Sequence, residues 1–305
     1  MANQEQIEAL YDWLDHFQEL RLGKHTDITC AFFDGDFGKT LREAQRDKHN
    51  WVLDGINFKP GDRVLDIGSG WGPILKAVKD KGGRGIGLTL SRAQAKYCAE
   101  SQLDARVQDY KTTDPQKLGI VNGVVSIGAL EHFCSEEEFL AGKQDQIYQQ
   151  FFKFCADVLP TGGRLYLQIM TWGKKVPNSA EVRLGAPKGS DEIILARLRK
   201  FYPGSWLPSG RDQLIKDAKH YFEFLHSDNG RLDYIETLNR WDEGTRSLYT
   251  TKKIFPAILA AARLIPKYFT DQDFRVQVAS IYHNDQQEAF TREIMSHERM
   301  FFEKK

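Results

Sequence analysis

"RVLDIGSGWGP" (residues 63–73) runs from an apolar stretch through Asp66 into three alternating glycines and a proline. The apolar part does not alternate with polar residues, as expected of a strand buried on both faces. Gly68, Gly70 and Gly72, with Ser69 among them, let the backbone turn tightly and come close to a ligand, which a Cβ would obstruct. Pro73 then suits a helix start, where free backbone N–H groups collect. The reading is strand, ligand-binding turn, helix.

The same rhythm continues outward. Apolar runs at "GRGIGLTL" (83–90), "ARVQ" (105–108), "GVVSI" (123–127) and "RLYLQIM" (164–170) alternate with helix-like stretches near 71–81, 91–102 and 138–159. Alternating strands and helices imply βαβ units and a parallel sheet, hence an α/β fold. Ahead of it, Ile7, Leu10, Tyr11, Leu14, Phe17 and Leu20 recur at helical spacing, and 41–56 reads as a second helix. Behind it, 173–200 reads as a loop and then a short helix, and "FYPGSWLPSG" (201–210) as a dense turn whose Ser209 would cap a helix over 210–220. "YFEFLH" (221–226) and "RLDYIETL" (231–238) read as two late strands, with helices to the end. The chain is thus one domain: a helical cap (1–56), a cofactor-binding core (57–170), an inserted cap (171–210), and last strands with C-terminal helices (211–305).

Composition excludes several classes. Lys plus Arg and Asp plus Glu both number 42, so no net charge draws the 305-residue chain to nucleic acid. Cys30, Cys98, Cys134 and Cys155 show no metal-ligand spacing and suit reduced thiols in a cytoplasmic protein. No basic-then-apolar leader is read at the start. "TKKIFPAILAAARLIPKYF" (251–269) is too short to span a bilayer; with Lys252, Lys253, Arg263 and Lys267 at its edges it reads as an interfacial helix, giving peripheral membrane contact, or as a lid packed on the core.

Which nucleotide would sit over the glycines? A dinucleotide site wants an acidic residue about 20 positions on, to hold a ribose hydroxyl. Here the second strand ends with Thr89, Leu90 and Ser91, and the glycine spacing lacks the two-residue gap before the third glycine. A pyrophosphate is disfavoured, and an uncharged nucleoside with a zwitterionic tail, S-adenosylmethionine, fits better. Asp109 and Tyr110 in "VQDY" follow the third strand, where a carboxylate can accept from an adenine amino group and a ring can stack on it. "VVSIGALEHF" (124–133) drives a buried strand into Glu131, a costly place for an unpaired charge unless it has a task. His132 is the more familiar general base, but along a continued strand it would point away from Glu131, so Glu131 is preferred.

Taken together, "VLDIGSGWG", "GLTLSRAQ" (87–94), "VQDY", "SIGALEHF", "FYPGSWLPS", "DYIETLNRW" (233–241), "ITCAFFDG" (28–35) and "TLREAQRDK" (40–48) resemble the cyclopropane-fatty-acid synthase and mycolic acid cyclopropane synthase family. The resemblance covers most of the chain. It implies a Rossmann-like methyltransferase fold, with a mostly parallel seven-stranded sheet, helices on both faces and a helical cap. It implies S-adenosylmethionine held by Ile28, Thr29, the stretch from Asp66 to Pro73, Thr89, Leu90, Gln94, Tyr110 and Lys111. It also implies bicarbonate, on ligands matching Cys30, Glu131 and Tyr234; the usual fourth, a histidine, aligns with Gln168. The cysteine that some members carry near the end is replaced by Glu303.

Methyl transfer to an alkene leaves a carbocation, which aromatic faces can stabilise; Phe32, Phe33, Phe133, Trp172, Tyr202, Trp206 and Tyr234 are the candidates. A base must then take a proton from the new methyl to close a ring, and Glu131 can do so directly or by holding bicarbonate. The expected acceptor is an unsaturated acyl lipid, with a small-molecule nitrogen or carbon as the alternative.

Overall fold

The computed structural model describes residues 27–178, 181–248, 262 and 264–305. The expected helix in the first twenty residues lies outside them, as do residues 251–261 and 263 of the 251–269 stretch.

Seven strands form one sheet, ordered β3-β2-β1-β4-β5-β7-β6. They are β1 (Arg63–Ile67), β2 (Arg84–Thr89), β3 (Asp104–Val107), β4 (Gly123–Ile127), β5 (Arg164–Trp172), β6 (Phe222–Asn229) and β7 (Met295–Lys304). All neighbours pair parallel except β7, which runs antiparallel between β5 and β6. The order reverses between β1 and β4, and outside the carboxyl ends of those strands an open α/β sheet has its crevice.

Strand alternation sorts the core onto two faces. Leu65, Ile67, Val124, Leu165, Leu167 and Phe302 meet the helices α4 (Pro115–Leu118), α6 (Gln144–Val158) and α8 (Arg211–Ala218). Val64, Val125, Ile127, Tyr166 and Phe301 meet α1 (Leu41–Gly55) and α2 (Pro73–Asp80). Helix α3 (Arg92–Glu100) follows β2, and α5 (Glu136–Leu140) precedes α6. The expected helix over 138–159 is therefore two, broken at Gly142, where φ is +70°. Helix α7 (Asp191–Phe201) with α10 (Gln272–Tyr282) and α11 (Asp285–Thr291) forms the cap.

Two expectations at the far end are corrected. Residues 231–238 are not a strand but open α9 (Arg231–Leu248). Asp233, Tyr234, Thr237 and Trp241 are buried, a helical spacing, while Leu232 is exposed. The last residues are not helical but form β7, whose "MFF" run fills both faces at once. Ser209 does not cap α8 either; Gly210 takes that position, and Ser209 instead contacts Gln213. Among the described residues no helix is long and apolar enough to cross a membrane.

Phe301 is fully buried, with ring centres 4.8 Å from Trp51 and Tyr166 and 4.7 Å from His226. Phe301→Ala should cost about 3–5 kcal/mol, read as a fall in the urea midpoint at unchanged slope.

Candidate active site

A cavity of about 910 Å³ opens at the switch between β1 and β4. One end is bounded by the turns after β1, β2 and β3, through Gly68, Gly70, Thr89, Leu90, Gln94, Asp109, Tyr110 and Lys111. A largely apolar wall comes from α7 and its end, with Leu198, Phe201 and Tyr202, and from α9, with Tyr234, Leu238 and Trp241. Glu131, Cys30 and Gln168 line it as well, as does the strap of residues 28–30.

The turn after β1 has two jobs. Gly68 (φ +84°) lets the β1 and β4 turns touch, since a Cβ there would sit 2.4 Å from Ala129 Cβ. At Gly70 (φ +52°) a Cβ would meet nothing within 4 Å, because it would point into the cavity. Backbone is thus offered to a ligand at that point. Of the expected cofactor stretch, Asp66, Ser69, Trp71, Gly72 and Pro73 stand behind the wall rather than on it. Asp66 is buried beside Asp27 and Lys48, and burial pushes its carboxyl up to about 8. Ser69 packs against Gly87, and Gly72 against Cys98 and Leu103. Tyr110 lies on the wall, but one side of its ring already rests on Phe133 at 4.6 Å. Asp109 accepts from the backbone N–H of Lys111 at 2.9 Å. Thr89 Oγ1 donates to Gln94 Oε1 at 2.7 Å and accepts from Ser91 N, fixing the rim after β2 without a carboxylate.

Strand β4 stops at Ile127, and Leu130–His132 form a 3-10 turn. Glu131 therefore owes its place to the turn, not to a continued strand. It is 3% exposed; Oε1 accepts from the backbone N–H of Met170 on β5 at 2.8 Å, and Oε2 has no partner among the described residues. Burial pushes its carboxyl up to about 7, against the pull of the backbone donors. His132 also reaches the cavity, so orientation does not exclude it as a base. Basicity does: burial lowers its imidazole to about 4, and Nδ1 lies 2.8 Å from Ser205 Oγ.

The other proposed anion ligands gather here too. Cys30 is buried, and desolvation raises its thiol to about 11, so it stays protonated. The Tyr234 hydroxyl accepts from Gln286 Nε2 at 3.3 Å. Gln168 is largely committed to structure: Oε1 accepts from the Tyr166 hydroxyl at 2.9 Å, and Nε2 donates to Cys30 O at 3.1 Å. Glu303 lies far off, bound to Arg164 near the start of β5. Of the aromatic candidates, Phe133, Tyr202 and Tyr234 line the cavity; Phe32, Phe33, Trp172 and Trp206 do not.

The strap is held by buried charge. Lys48 Nζ lies 2.6 Å from both Asp27 Oδ2 and Thr29 Oγ1 and donates to Cys30 O at 3.2 Å. Burial alone would raise the Asp27 carboxyl, but Lys48 and His49 hold it well below the usual range. From the other side, Arg299 on β7 donates to Ala31 O and Asp233 Oδ2, both at 2.7 Å.

This geometry has relatives. The family model for mycolic acid cyclopropane synthetase matches residues 1–248. The chain belongs to that family. Its members are S-adenosylmethionine-dependent methyltransferases, and this chain is a transferase of that class. Cyclopropane mycolic acid synthase 2 of Mycobacterium leprae is 33% identical over 254 residues, 78% of each chain. Hydroxymycolate synthase MmaA4 of Mycobacterium bovis is 31% identical over 286 residues, 88% of this chain and 89% of that one. In fold, the chain matches the mycolic acid cyclopropane synthase CmaA1, solved with SAH and CTAB, at a TM-score of 0.74 and 24% identity, covering 99% of this chain and 98% of that one.

Sequence reading missed Met170, whose backbone holds Glu131, and His297, which lines the cavity from β7. Both sit on strands, and a correct strand reading of "MSHERMFFEK" would have exposed the second.

Gly70→Val should fill the space a ligand needs and weaken S-adenosylhomocysteine binding at least about tenfold, or about 1.4 kcal/mol. Calorimetry measures the affinity, and an unchanged circular dichroism spectrum shows that the fold is kept.

Proposed function

We propose that this family member transfers the methyl group of S-adenosylmethionine to an unsaturated fatty-acyl chain, and that Glu131, alone or through a bicarbonate it holds, takes up the proton released as a ring closes. One observation carries this reading: the unpartnered Oε2 of a buried glutamate, in a cavity polar at one end and walled by apolar side chains at the other.

The cofactor, when bound, supplies an electrophilic methyl on a positively charged sulfur. Gly68, Gly70, Thr89, Gln94, Asp109 and Tyr110 would hold its nucleoside, with Ile28 and Thr29 of the strap above it; Asp66, Ser69, Gly72 and Pro73 would act from behind by shaping the turn. On the acceptor side, the rings of Tyr202 and Tyr234 offer π faces to a cation on the chain, each worth about 0.5–2 kcal/mol. The protein excludes water, so the cation is not captured by it. Bicarbonate fits the donor set: Cys30 keeps its S–H, and Glu131 keeps a free acceptor. An enzyme of this kind would meet its acyl chain at a membrane surface.

A second reading has one observation in its favour. Asp242 lines the cavity, where its carboxylate accepts from Asn284 Nδ2 at 3.2 Å and could face an amine. A small-molecule N-methyltransferase would use it so.

Incubating the protein with S-adenosylmethionine and vesicles of mono-unsaturated phospholipid should add the mass of one methylene to the acyl chains and leave saturated vesicles unchanged. Amine methylation without lipid modification would reverse the ranking of the two readings. Glu131→Gln should keep cofactor affinity and lose about 100- to 10,000-fold in turnover. The base is the carboxylate, so wild-type turnover should rise as pH climbs through about 7 and level off above it. In Glu131→Gln that rise should be absent.

A further inference from the structure

Strand β7 brings to the cavity a side chain that none of these roles uses. His297 is 2% exposed and lines the cavity wall. It pairs across the sheet with Met170, the residue whose N–H binds Glu131, and its ring meets that of Tyr234 edge-on at 5.1 Å. Neither ring nitrogen has a hydrogen-bond partner among the described residues, and of the two only Nδ1 is fully buried. Nδ1 is turned toward Gly230: a Cβ on that glycine would lie 2.5 Å from it and 2.8 Å from Arg299 Cζ.

That placement selects a tautomer. Beside a guanidinium, a lone pair is favoured over an N–H, whose dipole would present like charge to like. The proton of the neutral ring therefore resides on Nε2, the nitrogen that keeps access to the cavity. Burial, with Arg299 and Lys48 nearby, holds the imidazole well below its ordinary pKa, so the ring does not charge near neutral pH. The result is a fixed, uncharged donor. Glu131 Oε2, on the same cavity, is a buried acceptor with no donor.

We propose that His297 is an anion-binding residue of the acceptor site, its Nε2–H donating to an oxygen of the bicarbonate whose hydroxyl is accepted by Glu131 Oε2. This rests on the bicarbonate reading above and adds a nitrogen donor to the Cys30 thiol that the reading already supplies. Bicarbonate presents one O–H and several acceptor oxygens, which matches one spare acceptor and one spare donor. Gln168 is poorly placed to act alone, since it already serves Tyr166 and Cys30. The proton balance closes: a proton reaching one bicarbonate oxygen is matched by the hydroxyl proton passing to Glu131, leaving the anion unchanged and the carboxyl protonated.

The test uses the full chain with S-adenosylhomocysteine and carbon-13-labelled bicarbonate, its binding followed by carbon NMR. His297→Met should weaken bicarbonate at least about tenfold, the worth of one hydrogen bond to a charged group. His297→Gln, which keeps a donor, should recover most of the loss, and S-adenosylhomocysteine affinity should hold in both. Wild-type bicarbonate affinity in His297→Met overturns the role of His297 and leaves the bicarbonate reading standing. No binding by the wild type overturns both. Independently of any variant, a nitrogen-15 spectrum of the wild type should show His297 protonated on Nε2; protonation on Nδ1 overturns the proposal.

Discussion

A carboxylate removed from water survives only where donors reach it, and Glu131 has one principal donor, the backbone N–H of Met170. That bond joins the turn after β4 to β5, on one side of the crevice where the sheet order reverses. A hydrogen bond to a charged group contributes about 1.5–3 kcal/mol, too little to offset full desolvation. The remainder appears as basicity: the carboxyl rests near neutrality and one oxygen stays free. A neighbouring histidine in the same turn is driven the opposite way by the same burial. One environment thus separates two candidate bases by their chemistry.

Two buried cations set the rest of the site. Lys48 from α1 and Arg299 from β7 are both fully buried, and both bind the strap that closes the cavity. Buried ion pairs seldom add net stability, because desolvation cancels their attraction. Here their effect is positional. Lys48 and Gln168 both donate to the Cys30 carbonyl and Arg299 donates to its sulfur, so the thiol is fixed relative to α1, β5 and β7.

Much of this was legible in the chain, and the part that was not has a physical reason. Strands β1, β4 and β5 announce themselves through largely apolar runs followed by glycine, whereas β2 and β3 are legible from their alternation with helix-like stretches. Glu131 stood out because a carboxylate after such a run is anomalous. "RLDYIETL" misled, since its short apolar spacing suits a strand, and only the interval from Asp233 through Thr237 to Trp241 betrays the helix. "MSHERMFFEK" misled in reverse: it falls in the stretch expected to be helical, yet it forms β7, where Arg299 is buried against Asp228 and Asp233, which are distant in sequence. Asp66 shows a further limit. Its position at the end of β1 matched a cofactor ligand, but its carboxyl is buried near Asp27 and Lys48 and does not line the cavity.

The place of β7 has a kinetic consequence. Strands β5 and β6 never touch directly, so the sheet is completed only when residues near 300 insert between them, bonding Arg164 to Glu303 across a separation of 139 positions. Such late, non-local pairing is slow, and until it happens β5 exposes an apolar edge able to recruit another chain. The same insertion delivers His297 to the cavity and Arg299 to the backbone of Ala31 beside the strap. Catalytic competence and protection from aggregation therefore arrive in one step, and a lesion in β7 would be felt first as lost solubility during folding.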